Sequence, residues 1–167
     1  LTKPIFLNHP DGRLFDDANI FDSLSDCVEK INPDVVITHS PYDYHTDHRT
    51  LSKLTVEIID FRCPILFCDT LMGLNFTPEF FIDVTSEFEE KRKAILNHKS
   101  QNPTRFVNAI EINNKFRAAQ CNAPLGKYAE AYKAYKSFPY FNVSKIIPNL
   151  MTIKPFNVVY KNNNSLI

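Results

Sequence analysis

Short apolar runs alternate along this chain with stretches whose apolar residues recur at helical spacing, and that alternation restricts the fold more than any other feature. "PIFLN" (4–8) reads as a strand closed by the Asp11-Gly12 turn signal. From Asp17 to Asn32 the residues Ile20, Phe21, Leu24, Cys27, Val28 and Ile31 form a one-sided helical stripe that Pro33 stops. "DVVITH" (34–39) is a buried-type strand, and a second helix runs from near Asp47 to about Phe61 with Leu51, Leu54, Ile58 and Phe61 inward. "PILFCD" (64–69) and "EFFIDV" (79–84) are further strands. Ser86 and Glu89 have capping-box spacing for the next helix. Pro103 suits a first helical position, and the helix from there to about Gln120 places Phe106, Val107, Ile110 and Phe116 on one face. The pattern predicts a single α/β domain over 1–167 with a mostly parallel sheet. Residues 133–167 form a C-terminal extension whose aromatic-rich stretches fit strand, loop or a homo-oligomer contact.

Composition narrows the partners. Nineteen basic and nineteen acidic residues cancel, and no Lys/Arg block is present, so the footprint of a nucleic-acid binder is absent. A small molecule or charge-neutral partner is expected. Cys27, Cys63, Cys68 and Cys121 form no CxxC pair and sit in or beside apolar segments, as reduced thiols of a cytoplasmic protein do. No apolar stretch approaches the ~20 residues of a membrane span, and the first residues lack a signal-peptide pattern.

The chemistry concentrates in "THSPYDYHTDHRT" (38–50), which holds His39, His45, His48, Asp43 and Asp47 just where "DVVIT" ends. Ligands in such sheets sit beyond the carboxyl ends of strands. His45 and His48 lie one helical turn apart at a helix entrance, so both imidazoles can face one cleft. A catalytic zinc needs about three protein ligands plus water, and His48 is the candidate ligand. Asp47 is placed to orient an imidazole and hold it protonated. The competing reading is a helix-capping Asp flanked by two solvated histidines, and spacing alone favours it. His39 either lines the pocket or is satisfied locally. A metal site wholly within the chain would draw on His9, Asp11 or His39 together with His48.

"PDVVITHSPYDYHTDHRTLSKL" resembles the central motif of the PIG-L/LmbE family of zinc-dependent N-deacetylases. "PEFFIDVTSEFEEKRKAILNHKSQ" (78–101) is similar to that family's later strand and helix ending in H-x-SQ. "FRAAQCNAPLGKYAEAY" (116–132) is similar to its R-x-x-Q followed by YAE, with Tyr132 where Phe is more usual. The resemblance covers most of residues 1–132. It implies a Rossmann-like fold, His48 as a Zn2+ ligand and His45 as the imidazolium that stabilises the oxyanion and protonates the departing amine. It implies further that Asp47 keeps His45 charged and aimed, and that the substrate is an N-acetylated amino sugar or sugar conjugate. Asp43 leaves open which group assists the oxyanion. The family's A-H-P-D-D-E motif, source of its other ligands and its base, is missing. "IFLNHPDGRL" fits a later family segment, so His9 and Asp11 read as turn residues. Roughly ~60 to 80 residues, two strand-helix units, are expected upstream to complete the site, and this piece alone is expected to fold poorly.

Three further readings stay open. His98, Ser100 and Gln101 read as a helix-end turn. Arg117, Gln120, Tyr128 and Glu130 either position a polar substrate or an adjacent subunit, or form a buried network supporting the pocket. A non-catalytic sugar-binding relative remains the alternative function.

Overall fold

The computed structural model describes residues 3–135 and the strand at 159–161. Among the described residues four α-helices and five strands follow in order: α1 (Ile20–Ile31), β1 (Val36–Thr38), α2 (Thr46–Ile59), β2 (Ile65–Cys68), β3 (Phe80–Asp83), α3 (Phe88–Leu96), α4 (Pro103–Gln120), β4 (Ala129–Ala134) and β5 (Val159–Lys161). Of the extension from 133, residues 136–158 and 162–167 lie outside the described residues.

The strands form one sheet in the order β1-β2-β4-β3-β5. Among the described residues only β1 and β2 pair in parallel; β2/β4, β3/β4 and β3/β5 are antiparallel. The expectation of a mostly parallel sheet is therefore corrected to a mixed, largely antiparallel one. β1, β2 and β3 do point the same way, as strands joined by crossovers should. What changes the pairing is β4, which enters between β2 and β3 in the opposite sense and takes both as neighbours.

Several local expectations also shift. "PIFLN" forms no strand; Phe6 is 77% exposed and the segment has no ladder to join. α2 buries Asp47, Ser52, Thr55, Ile58 and Ile59, whereas Phe61 lies past its end and is exposed. The capping box at 86–89 does not form, because the Ser86 hydroxyl donates to the adjacent Glu87 carboxylate instead. α4 opens as expected, with Pro103 in its first turn and the Asn102 side chain accepting the Arg105 N–H. Its inward face, however, carries Asn113, Asn114 and Arg117, and Phe116 is 54% exposed. Polar residues with partners displaced an aromatic whose burial the apolar pattern favoured.

The alternation of side chains along the strands divides the sheet into two faces. Ile65, Phe67, Phe81 and Ala131 pack with Ile59 of α2 and Val28 of α1 on one. Leu66, Phe80, Tyr132 and Ala134 share the other. α4 lies against β4 through the Asn114 amide, which donates to the Ala129 carbonyl at 2.7 Å.

Candidate functional site

β1 ends at buried Thr38, whose hydroxyl meets that of Thr55 on α2 at 3.4 Å. The chain then turns tightly. The Asp43 N–H donates to the Ser40 carbonyl at 3.1 Å, and the Asp43 carboxylate accepts the His45 N–H at 2.9 Å, an Asx turn that delivers the chain to the start of α2. His45 caps that helix: its Nδ1 accepts the Asp47 N–H at 3.2 Å. Arg49 reaches back one turn and donates to the Asp43 and Tyr44 carbonyls, each at 2.7 Å, so the loop is held from both sides.

This frame brings His39, Asp43 and His48 together, with one donor atom of each within 4.8 Å of the others. The His39 and His48 rings stack at 3.8 Å with planes 1° apart. His48 Nδ1 lies 3.0 Å from an Asp43 carboxylate oxygen, yet it is buried and makes no aligned hydrogen bond. The His48 Nδ1 is thus left without a hydrogen-bond partner among the described residues. Burial pushes the His39 imidazole pKa down, with the neighbouring His48 and His45 acting in the same sense. The neutral ring that results is the metal-ligating form. Two imidazoles and one carboxylate make a donor set known for catalytic zinc, so these residues fit such an ion. Nearby Cys68 is less suited, because burial raises its thiol pKa to about 11 and keeps it protonated.

The sequence-based candidates are placed as follows. His48 and His39 lie in the cluster, and Asp43, considered only for the oxyanion, proves to be its carboxylate. His45 lies beside it, 4.8 Å from His48 by ring centres. Asp47 is buried, but its carboxylate is not what aims His45. One oxygen accepts the Gly12 N–H at 2.6 Å and the other the Leu14 N–H at 3.2 Å. Asp47 thus ties the "HPDG" turn to the helix and influences His45 through its backbone N–H. A backbone N–H can only donate, so His45 Nδ1 is an unprotonated acceptor and Nε2 carries the proton. His9 pairs with Asp17 at 2.6 Å, away from the cluster. His98, Ser100 and Gln101 form an exposed turn after α3.

His39, Asp43 and His48 open onto a cavity of about 340 Å³ whose facing wall comes from β2, α3, α4 and β4. There Lys91 donates to Glu130 at 2.6 Å and to the Asn114 side-chain carbonyl at 3.0 Å, and the Tyr132 hydroxyl donates to the other Glu130 oxygen. Burial, the largest single influence, pushes the Glu130 carboxyl upward, but the Lys91 charge and the hydrogen bonds from Lys91 and Tyr132 together outweigh it and leave the pKa below the usual range. Burial and the adjacent carboxylate drive the Tyr132 phenol well above its ordinary value. Behind the wall, Arg117 grips Asp69 through two bonds of 2.6 and 2.9 Å and donates to Gln120 at 2.7 Å, while Asn113 donates to Asp69 at 3.2 Å. The R-x-x-Q pair is thereby a support for the pocket rather than part of its lining. A larger cavity, about 680 Å³, is lined by Ser40, Ser52, Phe67 and Tyr135 among others and contains none of the clustered ligands.

Residues 1–59 match the family model described as PIG-L, GlcNAc-PI de-N-acetylase. No curated protein matches the chain. Among solved structures it is similar to GalB, the 4-carboxy-2-hydroxymuconate hydratase from Pseudomonas putida, at 21% identity and TM-score 0.61, covering 75% of this chain and 61% of that one. It is also similar to a conserved protein from Thermus thermophilus, at 20% identity and TM-score 0.62, covering 80% and 65% respectively. The chain therefore spans less than two thirds of either structure. Together these matches support a mixed α/β fold of the LmbE-like kind.

Proposed function

We propose that this pocket belongs to a metal-dependent hydrolase that removes an acetyl group from an N-acetylated amino sugar or sugar conjugate. The observation that carries the reading is the buried, unbonded His48 Nδ1 beside Asp43 and His39 at the end of β1. The family model matched by residues 1–59, named for a de-N-acetylase, supports the same reaction class.

His39, Asp43 and His48 would hold the ion. Bound zinc supplies Lewis-acid chemistry, polarising an amide carbonyl and activating water. The chain's own residues do the rest. His45, protonated on Nε2, offers a fixed donor to the oxygen that gains charge as the amide is attacked. Asp47 is a positioning residue, because its N–H sets the His45 tautomer and its carboxylate anchors the turn at Gly12. Asp43 holds the loop through the His45 N–H while presenting its carboxylate to the cluster. Lys91, the cation lining the cavity among the described residues, is already paired with Glu130. That favours an uncharged substrate over a polycarboxylate such as the one named for the hydratase. No helix among the described residues is long and apolar enough to cross a membrane.

The test is metal content and acetate release measured together on the full protein with an N-acetylglucosaminide. Stoichiometric zinc is expected in the wild type, with both zinc and acetate release lost in His48→Ala. Unchanged zinc in that variant would remove His48 from its assigned role.

A further inference from the structure

We infer that Lys91, Glu130 and Tyr132 form a recognition subsite for a neutral vicinal diol, such as two adjacent hydroxyls of a sugar ring. The inference rests on the pocket being a substrate site, as proposed above, but names the residues that choose the substrate. They share the cavity with His39, Asp43 and His48.

The case begins with the cost of the arrangement. Glu130 and Lys91 are only about 29% and 27% exposed, and a pair held this far from water contributes little to stability compared with apolar packing. Such a pair on a cavity wall rather than in the core is better explained by what it offers the cavity. β4 places Glu130 and Tyr132 on the same face by their two-residue spacing, and α3 brings Lys91 to them.

Counting bonding capacity then identifies the ligand. An ammonium has three donors, and Lys91 spends two, on Glu130 and Asn114. A carboxylate accepts about four hydrogen bonds, and Glu130 receives one on each oxygen, from Lys91 and Tyr132. The Tyr132 hydroxyl, having donated, keeps an acceptor. Among the described residues, one unused donor thus lies beside several unused acceptors. A hydroxyl that accepts from Lys91 while donating to Glu130, with its neighbour donating to Glu130 or Tyr132, uses that set completely. A carboxylate or phosphate could use only the donor and would face the Glu130 charge. The cavity, at about 340 Å³, is within the ~300 to 1,000 Å³ of small-molecule sites. Tyr132 adds a constraint that a Phe would lack: its hydroxyl fixes the second Glu130 oxygen and so the direction in which the carboxylate faces.

The experiment measures binding by NMR titration of the zinc-loaded full-length protein with N-acetylglucosamine and with N-acetylglucosaminuronic acid, its C6-carboxylated counterpart. N-acetylglucosamine is expected to bind at least tenfold more tightly than the uronic acid. Its Kd should rise at least tenfold in Glu130→Gln and about threefold in Tyr132→Phe. Because Glu130→Gln strands the Lys91 charge, the double variant Lys91→Met with Glu130→Gln serves as the folding control and should show the same tenfold loss at an unchanged melting temperature. In turnover the change should fall on KM and leave kcat within about twofold, which a merely structural role would not produce. A Kd within twofold of wild type in the double variant, or no sugar binding by the wild type, overturns the subsite. His48→Ala separates the two readings: sugar binding that persists there without zinc keeps the subsite even if acetate release is never detected.

Discussion

One wall of the pocket, with His39, Asp43 and His48, comes from a single stretch of ten consecutive positions between β1 and α2, whereas the facing wall gathers Asp69, Lys91, Asn113, Asn114, Glu130 and Tyr132 from four separate elements. The first is held by bonds between near neighbours in sequence, such as Asp43 to His45 and Arg49 to Asp43 and Tyr44. The second is held mainly by partners far apart in sequence, such as Lys91 with Glu130, 39 residues away, and Arg117 with Asp69, 48 residues away. Local turns and caps form as soon as their own few residues order, so the first wall depends weakly on the rest of the fold. The second exists only when β4 has entered the sheet and α4 has docked on it.

That contrast can be broken at either wall. The largest expected effect is on chemistry: His48→Ala should lower acetate release by ~10³-fold or more, about 4 kcal/mol of transition-state stabilisation, with a thermal midpoint near wild type. A midpoint that falls sharply would show the local wall to be structural as well. Next comes Arg117→Met, which leaves the Asp69 carboxylate buried without its guanidinium. Urea unfolding should register a loss of ~3 to 5 kcal/mol, and a loss under ~1 kcal/mol would mean that the distal wall does not need its support. Asp47→Asn weakens the bonds to the Gly12 and Leu14 amides. It should cost ~1 to 3 kcal/mol and speed hydrogen exchange at those two amides while the Arg117 network stays protected.

The smallest effect is a pH dependence at the distal wall. Glu130 has a folded pKa below its ordinary value, so the native state favours the ionised carboxylate. The stabilisation from that difference is full above the unfolded pKa, near the usual Glu range, and disappears as pH falls through the lower folded value. Calorimetry from pH 7 to 3 should therefore show the wild type and the Lys91→Met, Glu130→Gln double variant running parallel above about pH 5, with the wild type losing more below it. Parallel curves over the whole range would show that Lys91 does not hold Glu130 ionised.

Which parts of the site are legible in sequence follows the same division. His48 and the loop around it are apparent from residue types and spacing at the end of a strand. Asp43 was within reach too, since an Asp two residues before a helix-entrance His has the spacing of an Asx turn. Asp47 shows the limit of spacing as evidence: its place between two histidines suggests a carboxylate serving an imidazole, but its oxygens go to a turn more than thirty residues upstream. Phe116 and Phe61 misled for a related reason. Apolar periodicity assumes that burial follows hydrophobicity, and α4 instead turned Asn113, Asn114 and Arg117 inward, where Asp69, Ala129 and Lys91 satisfy them.

By itself the sequence determined the four helices, the strands β1, β2 and β3, and the placing of His48 at a helix entrance just beyond β1, because each depends on interactions within a few positions along the chain. The tertiary structure alone decided that β4 would run against β2 and β3, and with it which side chains face the metal-ligand cluster across the pocket. Strand pairing is a choice among distant partners with similar apolar faces, and no local spacing records which one wins.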